Sequence, residues 1–510
     1  MNEEKNNNQI KLGMIFSYLN IGIGNLIPLF YTPIMLSLLG QNEYGLYKIA
    51  SSTTSYLSLV SFGIGSAVTR YLIKANTEGG KRAEENTFGL FHLIFQIIAI
   101  LTLIIGAIIT INLGVIYSSS LNKEQLFRMK ILVAILVVNT AVSFSASSYN
   151  AVASTHERFV FIQIINILST IGTPVLNLIV LFYGCKSIGM AITSLALNVV
   201  IRILYVIYVK RSLGLCPRYD NLPVGILKEV LTFSFWVFVS NIVGQLYSAT
   251  DVVIIGAVPA LATVGAAVYS IGNTFPSMMF SLAQVTPNLF MPKANKMVFG
   301  GSTDKELTDL VIKVGRIQAF IVALVCSGFM AFGKPFIYFY AGKEYGEAYW
   351  VALIIMIPNC IPLVQSVAHS IIQAKNMHKF RSQVYLLIAS MNVIGTLLLV
   401  RKFEIIGAAI PTGLSYIIGN GFIMNWYYWK RVHLDIPQFW KKVIPIFVTT
   451  FFMSICVLLI EKWVDFYQIK TMLLGIIVYT IIYIIIAWKF LFNDDEKKLI
   501  KEPIEKIMKK

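Results

Sequence analysis

The chain has 510 residues, of which 56% are hydrophobic and only 13% are charged, and its mean hydropathy is +0.71. About a quarter of the residues of a soluble protein are charged, so this composition excludes an ordinary soluble enzyme. The net charge of +17 would suggest nucleic acid as a partner of a soluble domain, but in so apolar a chain it indicates positively charged cytoplasmic loops. Apolar runs of about 18 residues or more can cross ~30 Å of hydrocarbon as helices. We therefore predict an all-α integral membrane protein that does not bind nucleic acid.

About fourteen transmembrane helices are predicted. The first apolar stretch is too long for a signal peptide and has no clear small-residue cleavage site, so we predict that it is retained as a span. Lys and Arg are concentrated in the two termini and in the loops on the same side, which predicts that both termini are cytoplasmic. The predicted spans are residues 12–38, 46–70, 88–113, 130–153, 160–183, 187–209, 231–256, 264–290, 311–333, 349–373, 382–400, 406–429, 443–461 and 470–492.

Sequence features recur at an offset of about 220 residues. The polar loop with the sequence KANTEGG at 74–80 shares its Lys-Ala-Asn and its Gly-Gly with the segment at 293–301, and we expect these glycines to let the chain turn between two spans. Each copy would contain six spans, and an even number gives both copies the same orientation in the membrane. The predicted domains are a six-helix N-terminal lobe at 1–212, a six-helix C-terminal lobe at 213–432, and two extra spans with a cytoplasmic tail at 433–510. Further matching positions are Gly24-Asn25 with Gly244-Gln245, Gly45 and Tyr47 with Gly265 and Tyr269, Ile188-Gly189 with Ile406-Gly407, and Arg211 with Arg431.

Polar residues at membrane depth are the candidates for a substrate cavity. Asp251, in the segment YSATDVVIIG, is the one acidic residue predicted well inside a span. An intramembrane carboxylate is costly, which makes Asp251 a candidate for substrate contact or for coupling to an ion. The alternative is an Asp near the interface that is exposed to water or bonded to a neighbouring helix. Gln245 and Ser248 precede Asp251 at three-residue spacing and are predicted to share a broad helical face with it, and Asn20 and Asn25 are the matching candidates in span 1.

Three basic residues complete the predicted site. Lys48 begins span 2 and Arg70 ends it, so each is either a residue whose charge reaches the membrane interface or a substrate contact. Arg202 lies at about the middle of span 6, where it is either a buried partner of another helix or part of the cavity wall, because a lipid-facing Arg would be costly there. Span 2 also contains the Ser/Thr-rich segment SSTTSYLSL at 51–59, which is typical of close helix packing or of a hydrophilic cavity wall.

No arrangement of residues in the sequence predicts catalysis. The five His have no metal-binding spacing, the five Cys have no paired spacing, and no nucleophile has a base nearby in the sequence. All predicted loops are short, which leaves no room for a soluble catalytic domain. We therefore predict a protein that is not an enzyme, with no metal and no cofactor apart from a coupling proton or sodium ion.

The segment at 38–72 resembles the opening of polysaccharide-export flippases of the Wzx type. The resemblance is carried by Gly40, by the run Glu43-Tyr44-Gly45-Leu46-Tyr47, by Gly63 and Gly65, and by Arg70-Tyr71. The segments LYSATDVVIIG and VGAAVYSIG resemble the corresponding start of the second half. These flippases belong to a superfamily that includes the MATE drug exporters and the lipid II flippase, and a layout of 6+6+2 spans agrees with it.

The resemblance implies a V-shaped, two-lobed carrier in the bacterial cytoplasmic (inner) membrane. Such a carrier turns undecaprenyl-diphosphate-linked oligosaccharides to the outer leaflet by alternating access, for export of O-antigen, capsule or exopolysaccharide. The implied partners are this polyprenyl-diphosphate-linked glycan, membrane lipids and other polysaccharide assembly proteins.

The lipid II flippase has several cavity arginines in spans 1, 2, 7 and 8, whereas spans 1, 7 and 8 have no deep Arg here, which favours a different glycan. The alternatives are a MATE-type ion-coupled drug exporter and, in another class, a membrane-embedded polysaccharide polymerase.

Overall fold

A computed structural model describes residues 2–498 and 501 of the chain, and these residues form helices and no strands. This confirms the predicted all-α class. Short 3₁₀ and π turns connect or extend the helices, among them the 3₁₀ turn Tyr56–Ser61 that follows α2. The α-helices are α1 (Asn2–Leu39), α2 (Gln41–Ser55), α3 (Gly65–Tyr117), α4 (Lys123–Ser145), α5 (Ser147–Thr155), α6 (Phe159–Phe182), α7 (Lys186–Tyr208), α8 (Leu227–Ser248), α9 (Thr250–Ala257), α10 (Ala262–Ala283), α11 (Val285–Phe299), α12 (Asp304–Tyr340), α13 (Ala348–Val364), α14 (Ser366–Ala374), α15 (His378–Tyr416), α16 (Asn425–Lys430), α17 (Ile436–Ile460) and α18 (Ile469–Ile486).

Within the described residues, ten helices are long and apolar enough to cross a membrane, or eleven if α13 and α14, which bend by 45°, form one span. The predicted number of fourteen is therefore not confirmed. Two of these helices, at 41–117 and 379–430, have 77 and 52 residues and each contain two predicted spans. At a rise of 1.5 Å per residue, the longer one would measure about 115 Å if it were straight, several times the thickness of the hydrocarbon core. Non-helical residues divide them, Gly80 in the first and Glu404 in the second.

Contacts between residues divide the chain into two compact units, residues 1–267 and 268–510. In the first unit, α1 packs on α6, α3 packs on α4 and α5, and α7 packs on both α4 and α6. In the second unit, α12 packs on α13 and α17, and α13 packs on α15. The first unit also contains α8 and α9, which the repeat assigns to the second lobe. The predicted domain bounds follow the sequence repeat, and they stay predictions.

Positive φ angles recur along the backbone at the offset of the sequence repeat. Positive φ is uncommon in residues other than glycine, so repeated occurrences mark equivalent turns of the chain. In the loops that share the Gly-Gly sequence, the second glycine has positive φ in both copies, as expected for residues that let the chain turn. The four pairs are Gly80 (65°) with Gly301 (74°), Glu157 (54°) with Asn376 (55°), Lys186 (50°) with Glu404 (52°), and Gly214 (63°) with His433 (63°).

One broken helix is built in the same way in both units. α4 stops at Ala146 (φ −108°, ψ 8°) before α5 begins, and α13 stops at Gln365 (φ −104°, ψ 13°) before α14 begins. Both short helices then end in the same hydrogen-bonded turn. Arg158 N donates to Ala153 O (3.0 Å) in the first copy, and Met377 N donates to Ile372 O (2.7 Å) in the second.

The polar segment after span 2 is not a solvated loop throughout, contrary to the sequence prediction. α3 continues through it with a break at Gly80, and Glu84 and Glu85 are only 2% and 6% exposed. These carboxylates are buried because they are paired: Glu84 lies 2.8 Å from Nε2 of His156, and Glu85 lies 2.8 Å from Nε of Arg218. In the second unit, Asp304 and Lys375 form a pair at 3.1 Å at the positions equivalent to Glu84 and His156.

Candidate functional site

Asp251 lies where the seventh predicted span is interrupted. α8 ends at Ser248, Ala249 has distorted helical angles (φ −115°, ψ −29°), and Asp251 is in the first turn of α9. The first turn of a helix has backbone N–H groups without helical partners and a partial positive charge, which favour a carboxylate there. Asp251 is only 3% exposed, so the interpretation of a water-exposed Asp at the interface is wrong.

Short polar contacts join α2 and the turn after it to α9 and the start of α10. The hydroxyl groups of Tyr56 and Thr250 are 2.5 Å apart, and Tyr56 lies within electrostatic range of the Asp251 carboxylate. Thr263 Oγ1 donates to Asn42 Oδ1 (2.8 Å). Gly45 permits this close approach, because a Cβ at that position would lie 1.8 Å from the Thr263 carbonyl oxygen. Asp251 is therefore buried beside a tight contact between α2 and α9.

Gln245 is hydrogen-bonded to the Ser/Thr-rich segment of span 2. Its Nε2 donates to Ser58 Oγ (3.0 Å), and its Oε1 accepts from Ser55 Oγ (3.0 Å). Both ends of the side-chain amide are therefore used to hold α8 against span 2. Ser248 is exposed whereas Asp251 is buried, so the predicted common face of Gln245, Ser248 and Asp251 is wrong. That prediction assumed an unbroken helix, whereas the helix is interrupted at Ala249, between Ser248 and Asp251.

Replacing Gln245 by Leu removes both hydrogen bonds and keeps most of the side-chain volume. One intramolecular hydrogen bond contributes about 0.5–1.5 kcal/mol, so we expect Gln245→Leu to lower the free energy of unfolding by about 1–3 kcal/mol. The measurement is the thermal unfolding midpoint of the purified protein in detergent. The matched control on the same helix is Ser240→Ala, because Ser240 Oγ is exposed and donates only to Trp236 O of its own helix. Equal midpoints for the two variants would contradict a stabilising role of Gln245.

The two asparagines of α1 have local partners. Asn20 Oδ1 accepts from Thr170 Oγ1 (2.9 Å), which joins α1 to α6. Asn25 is half-buried, and its Nδ2 donates to Ile21 O of its own helix (2.8 Å). Asn20 therefore contributes to helix packing, whereas among the described residues the bond of Asn25 is to its own helix.

Lys48 and Arg70 both lie over aromatic rings. Lys48 Nζ is 5.3 Å from the centre of the Tyr44 ring on the same helix. Arg70 is exposed, and its Cζ is 5.8 Å from the centre of the Phe233 ring of α8. A cation over the face of an aromatic ring is attracted by the ring quadrupole. Both interpretations of these residues, as cations at the membrane interface and as substrate contacts, stay predictions.

Arg202 is the end of a polar network between α4 and α7. Its Nε donates to Asn198 Oδ1 (3.0 Å). The amide nitrogen of Asn198 in turn donates to Asn139 Oδ1 (2.7 Å) and to Ser143 Oγ (2.8 Å), which orients the amide oxygen toward Arg202. Arg202 is half-buried, and in the part of the chain that the structure describes no carboxylate lies within 4 Å of its guanidinium. A positioned cation without a carboxylate partner can bind an anion.

Glu43 forms polar contacts between helices and is not among the site residues predicted from the sequence. Its Oε1 accepts from Ser187 Oγ (2.5 Å), and its Oε2 lies 3.2 Å from Nη1 of Arg128. Arg128 is also paired with Glu124 one helical turn earlier (2.8 Å). Glu43 therefore connects α2 to α4 and α7. Glu43 belongs to the Glu-Tyr-Gly-Leu-Tyr run that carries the family resemblance. Its place in that run is the sequence feature that could have identified it as a functional residue.

The candidate residues thus form two polar clusters within the first unit. One joins α2, α8 and α9 around Gln245 and Asp251, and the other joins α4 and α7 around Arg202. Amides, hydroxyls and a guanidinium can hydrogen-bond to sugar hydroxyls and to one anionic group. Arg202 supplies the positive charge that can bind an anionic group, whereas the Gln245 amide is already bonded to span 2 and Asp251 is itself a carboxylate.

Comparisons with known proteins agree with this chemistry. The family model described as "Polysaccharide biosynthesis protein" matches residues 11–291. The probable low-salt glycan biosynthesis flippase Agl15 of Haloferax volcanii is 23% identical over 205 residues, which are 40% of this chain and 42% of that relative. The chain thus aligns with less than half the length of this curated relative.

Solved structures share the fold over most of the chain. The lipid II flippase MurJ in an inward closed conformation is 14% identical and has a TM-score of 0.67, covering 94% of this chain and 100% of that one. An inward-facing MATE-family multidrug transporter is 15% identical with a TM-score of 0.60, covering 85% and 98%. The MATE transporter DinF-BH is 15% identical with a TM-score of 0.60, covering 82% and 96%. These structures show the fold, and the family match over residues 11–291 confirms the predicted resemblance to polysaccharide-export proteins.

Proposed function

Because the chain belongs to the polysaccharide biosynthesis protein family, we propose that it is a flippase for a lipid-linked oligosaccharide. The proposed substrate is an undecaprenyl-diphosphate-linked unit that is moved to the outer leaflet of the cytoplasmic membrane for surface polysaccharide. The family match over residues 11–291 is the observation that carries this proposal. The polar network that ends at Arg202 supports it, because its half-buried guanidinium offers a positive charge for a diphosphate.

The test is deletion of the gene in the source organism. We expect lipid-linked oligosaccharide to accumulate with its glycan on the cytoplasmic side, where a glycosidase added to inside-out membrane vesicles digests it. Accumulation on the outer face would favour the membrane-embedded polymerase instead, since a polymerase acts after translocation. Normal glycan with increased sensitivity to cationic drugs would favour a MATE-type exporter. Either outcome would overturn the flippase proposal.

Arg202 is proposed to offset the charge of the diphosphate during translocation. We expect Arg202→Gln to lower transport about tenfold, which corresponds to about 1.4 kcal/mol of lost interaction, because the amide retains polarity but not charge. Arg202→Lys retains the charge and should keep a larger part of the activity.

The measurement is glycan translocation in proteoliposomes at equal protein content. Arg211→Gln, at an exposed position nine residues later, is the control. Equal losses in Arg202→Gln and Arg202→Lys, or no loss in either variant, would contradict the proposed role of the charge.

A further inference from the structure

The broken helix that occurs in both units has the same hydrogen bonds at its two breaks. We call these breaks joint A, at Ala146 between α4 and α5, and joint B, at Gln365 between α13 and α14. After joint A, Tyr149 N donates to Ala146 O (3.1 Å), and after joint B, Ala368 N donates to Gln365 O (3.0 Å). Both bonds reach three residues back, whereas an α-helix bonds to the fourth residue back. The two joints are therefore copies of one local structure, and the site described above includes neither of them.

The two joints differ in their bend. At joint B, α13 and α14 meet at 45°. At joint A, α4 and α5 bend less and run on as one membrane span at 123–155. The same backbone pattern thus accommodates two bends within one chain, and this is the property that a hinge needs.

A glutamine of α3 completes joint A. In a continuous helix, Tyr149 N would donate to Ser145 O, four residues back. At joint A, Gln96 Nε2 donates to that carbonyl oxygen instead (3.0 Å). Ala146 has only a methyl group, which forms no hydrogen bond to another helix. The bend at joint A is therefore not fixed by the side chain of the residue at the break.

Side-chain hydrogen bonds tie joint B to α16 and to α12. Gln365 Nε2 donates to Asn425 Oδ1 of α16 (2.5 Å), and Trp440 Nε1 of α17 donates to the same oxygen (3.1 Å). The next residue, Ser366, donates through its Oγ to Gln318 Oε1 of α12 (2.6 Å). Gln365 and Gln318 are buried, so water does not compete for these bonds. The joint with a hydrogen-bonding side chain at the break is thus the one with the larger bend.

A helix of nine residues follows each joint, α5 after joint A and α14 after joint B. The far end of α14 carries the ion pair of Lys375 with Asp304, whose side chains are 25% and 49% exposed. Ion pairs that are this exposed contribute little to stability. The pair therefore offers little resistance to a change of bend at joint B.

We propose that joints A and B are hinges and that Gln365 is the positioning residue that holds joint B in its bent form. Without the bond from Gln365 to Asn425, α14 swings toward the smaller bend seen at joint A. A helix of nine residues is about 13 Å long, so a swing of 45° moves its end by about 10 Å. The use of this movement in alternating access rests on the proposed flippase function, whereas the hinge itself is measured without substrate.

The test is a distance measurement by electron paramagnetic resonance on the full-length protein. Spin labels are attached at Gln373→Cys in α14 and at Lys441→Cys in α17, two exposed positions, after the five native cysteines are replaced by alanine. The variant Gln365→Ala gives joint B the residue type of joint A. Asn425 keeps its bond from Trp440 in this variant, so its amide oxygen is not left without a donor.

We expect Gln365→Ala to increase the population with a straightened α14 about fivefold, which corresponds to about 1 kcal/mol, the contribution of one hydrogen bond. This population is recognised by a change of up to about 10 Å in the distance between the labels. Gln468→Ala is the matched control, because Gln468 is exposed and its side chain donates to Asp465 within its own loop. The control should give the distances of the labelled protein without further change.

A second variant and a transport assay complete the test. Gln365→Met keeps the length of the side chain but not its hydrogen bond, so it replaces Gln365→Ala if that variant does not fold. A changed distance in a folded variant supports the hinge even if the unlabelled protein moves no glycan in proteoliposomes, a result that would contradict only the flippase function. An unchanged distance in a folded variant overturns the hinge and leaves the flippase function standing.

Discussion

Arg316→Met is expected to destabilise the protein by about 3–5 kcal/mol, because it breaks a buried ion pair and leaves one charge without its partner. Arg316 of α12 contacts Glu496 through two bonds, Nε to Oε1 (2.7 Å) and Nη2 to Oε2 (2.9 Å), and the side chains are only 11% and 7% exposed. The same guanidinium donates to the carbonyl oxygens of Lys442 (2.6 Å) and Leu491 (2.6 Å). One side chain thus connects α12 to α17 and to the segment that follows α18.

The thermal unfolding midpoint in detergent measures this effect. Glu496→Gln should also destabilise the protein, but less, because the amide oxygen can still accept one hydrogen bond from Arg316. The matched control is Lys375→Gln, since the pair of Lys375 with Asp304 is more exposed, at 25% and 49%, and should contribute about 0–1 kcal/mol. If the unfolding midpoint falls no further in Arg316→Met than in this control, the C-terminal segment is not held by the ion pair.

Asp251→Asn is expected to lower transport at least tenfold while leaving the unfolding midpoint close to that of the wild type. Asn has nearly the same shape as Asp and keeps one acceptor oxygen, so the variant removes charge more than it removes packing. A buried carboxylate costs free energy in a membrane protein. If its charge serves transport and not folding, the neutral Asn should leave the stability of the fold nearly unchanged. The measurement is translocation of the lipid-linked glycan in proteoliposomes, with expression and midpoint recorded beside it.

Two comparisons decide the role of Asp251. Thr250→Val removes the hydroxyl that meets Tyr56 but keeps the carboxylate, so it tests whether the local contact alone explains a loss. We expect Thr250→Val to retain more activity than Asp251→Asn. Wild-type transport by Asp251→Asn would exclude a functional charge. A fall in the unfolding midpoint that parallels the loss of transport would assign Asp251 to packing.

Helix content and the internal repeat were predictable from the sequence because both depend on local composition. Apolar runs must become helices in a membrane, where every backbone polar group needs an internal partner. The repeat appears in the sequence through a few shared residues, and the turn at Gly80 and Gly301 shows why the Gly-Gly pair is shared: both second glycines have positive φ. The same offset relates Glu157 to Asn376, which share the positive φ but not the residue type, so sequence identity could not reveal this equivalence.

The candidate site was predictable only in part. Asp251 and Arg202 could be selected because charges at membrane depth are rare and costly. Their surroundings could not be derived, since the helix break at Ala249 has no proline or glycine at that position to signal it, and it separates the exposed Ser248 from the buried Asp251. The partners of Arg202 on α4 were hidden for a different reason. In the sequence, Asn139 and Ser143 look like ordinary small polar residues of a membrane helix. Only the tertiary structure shows that both are hydrogen-bonded to Asn198.

The sequence alone determined that this chain is a multi-pass helical membrane protein with two related halves and that it resembles a polysaccharide flippase. Hydrophobic runs and repeated turns are local properties, so they can be read without knowing which helices touch. Only the tertiary structure decided that Glu43 pairs with Arg128, that Gln245 binds span 2, and that Arg316 holds Glu496, 180 residues away. Such pairs depend on which faces of the helices pack together. Because the paired residues are far apart in the chain, no periodic pattern in the sequence indicates that they are in contact.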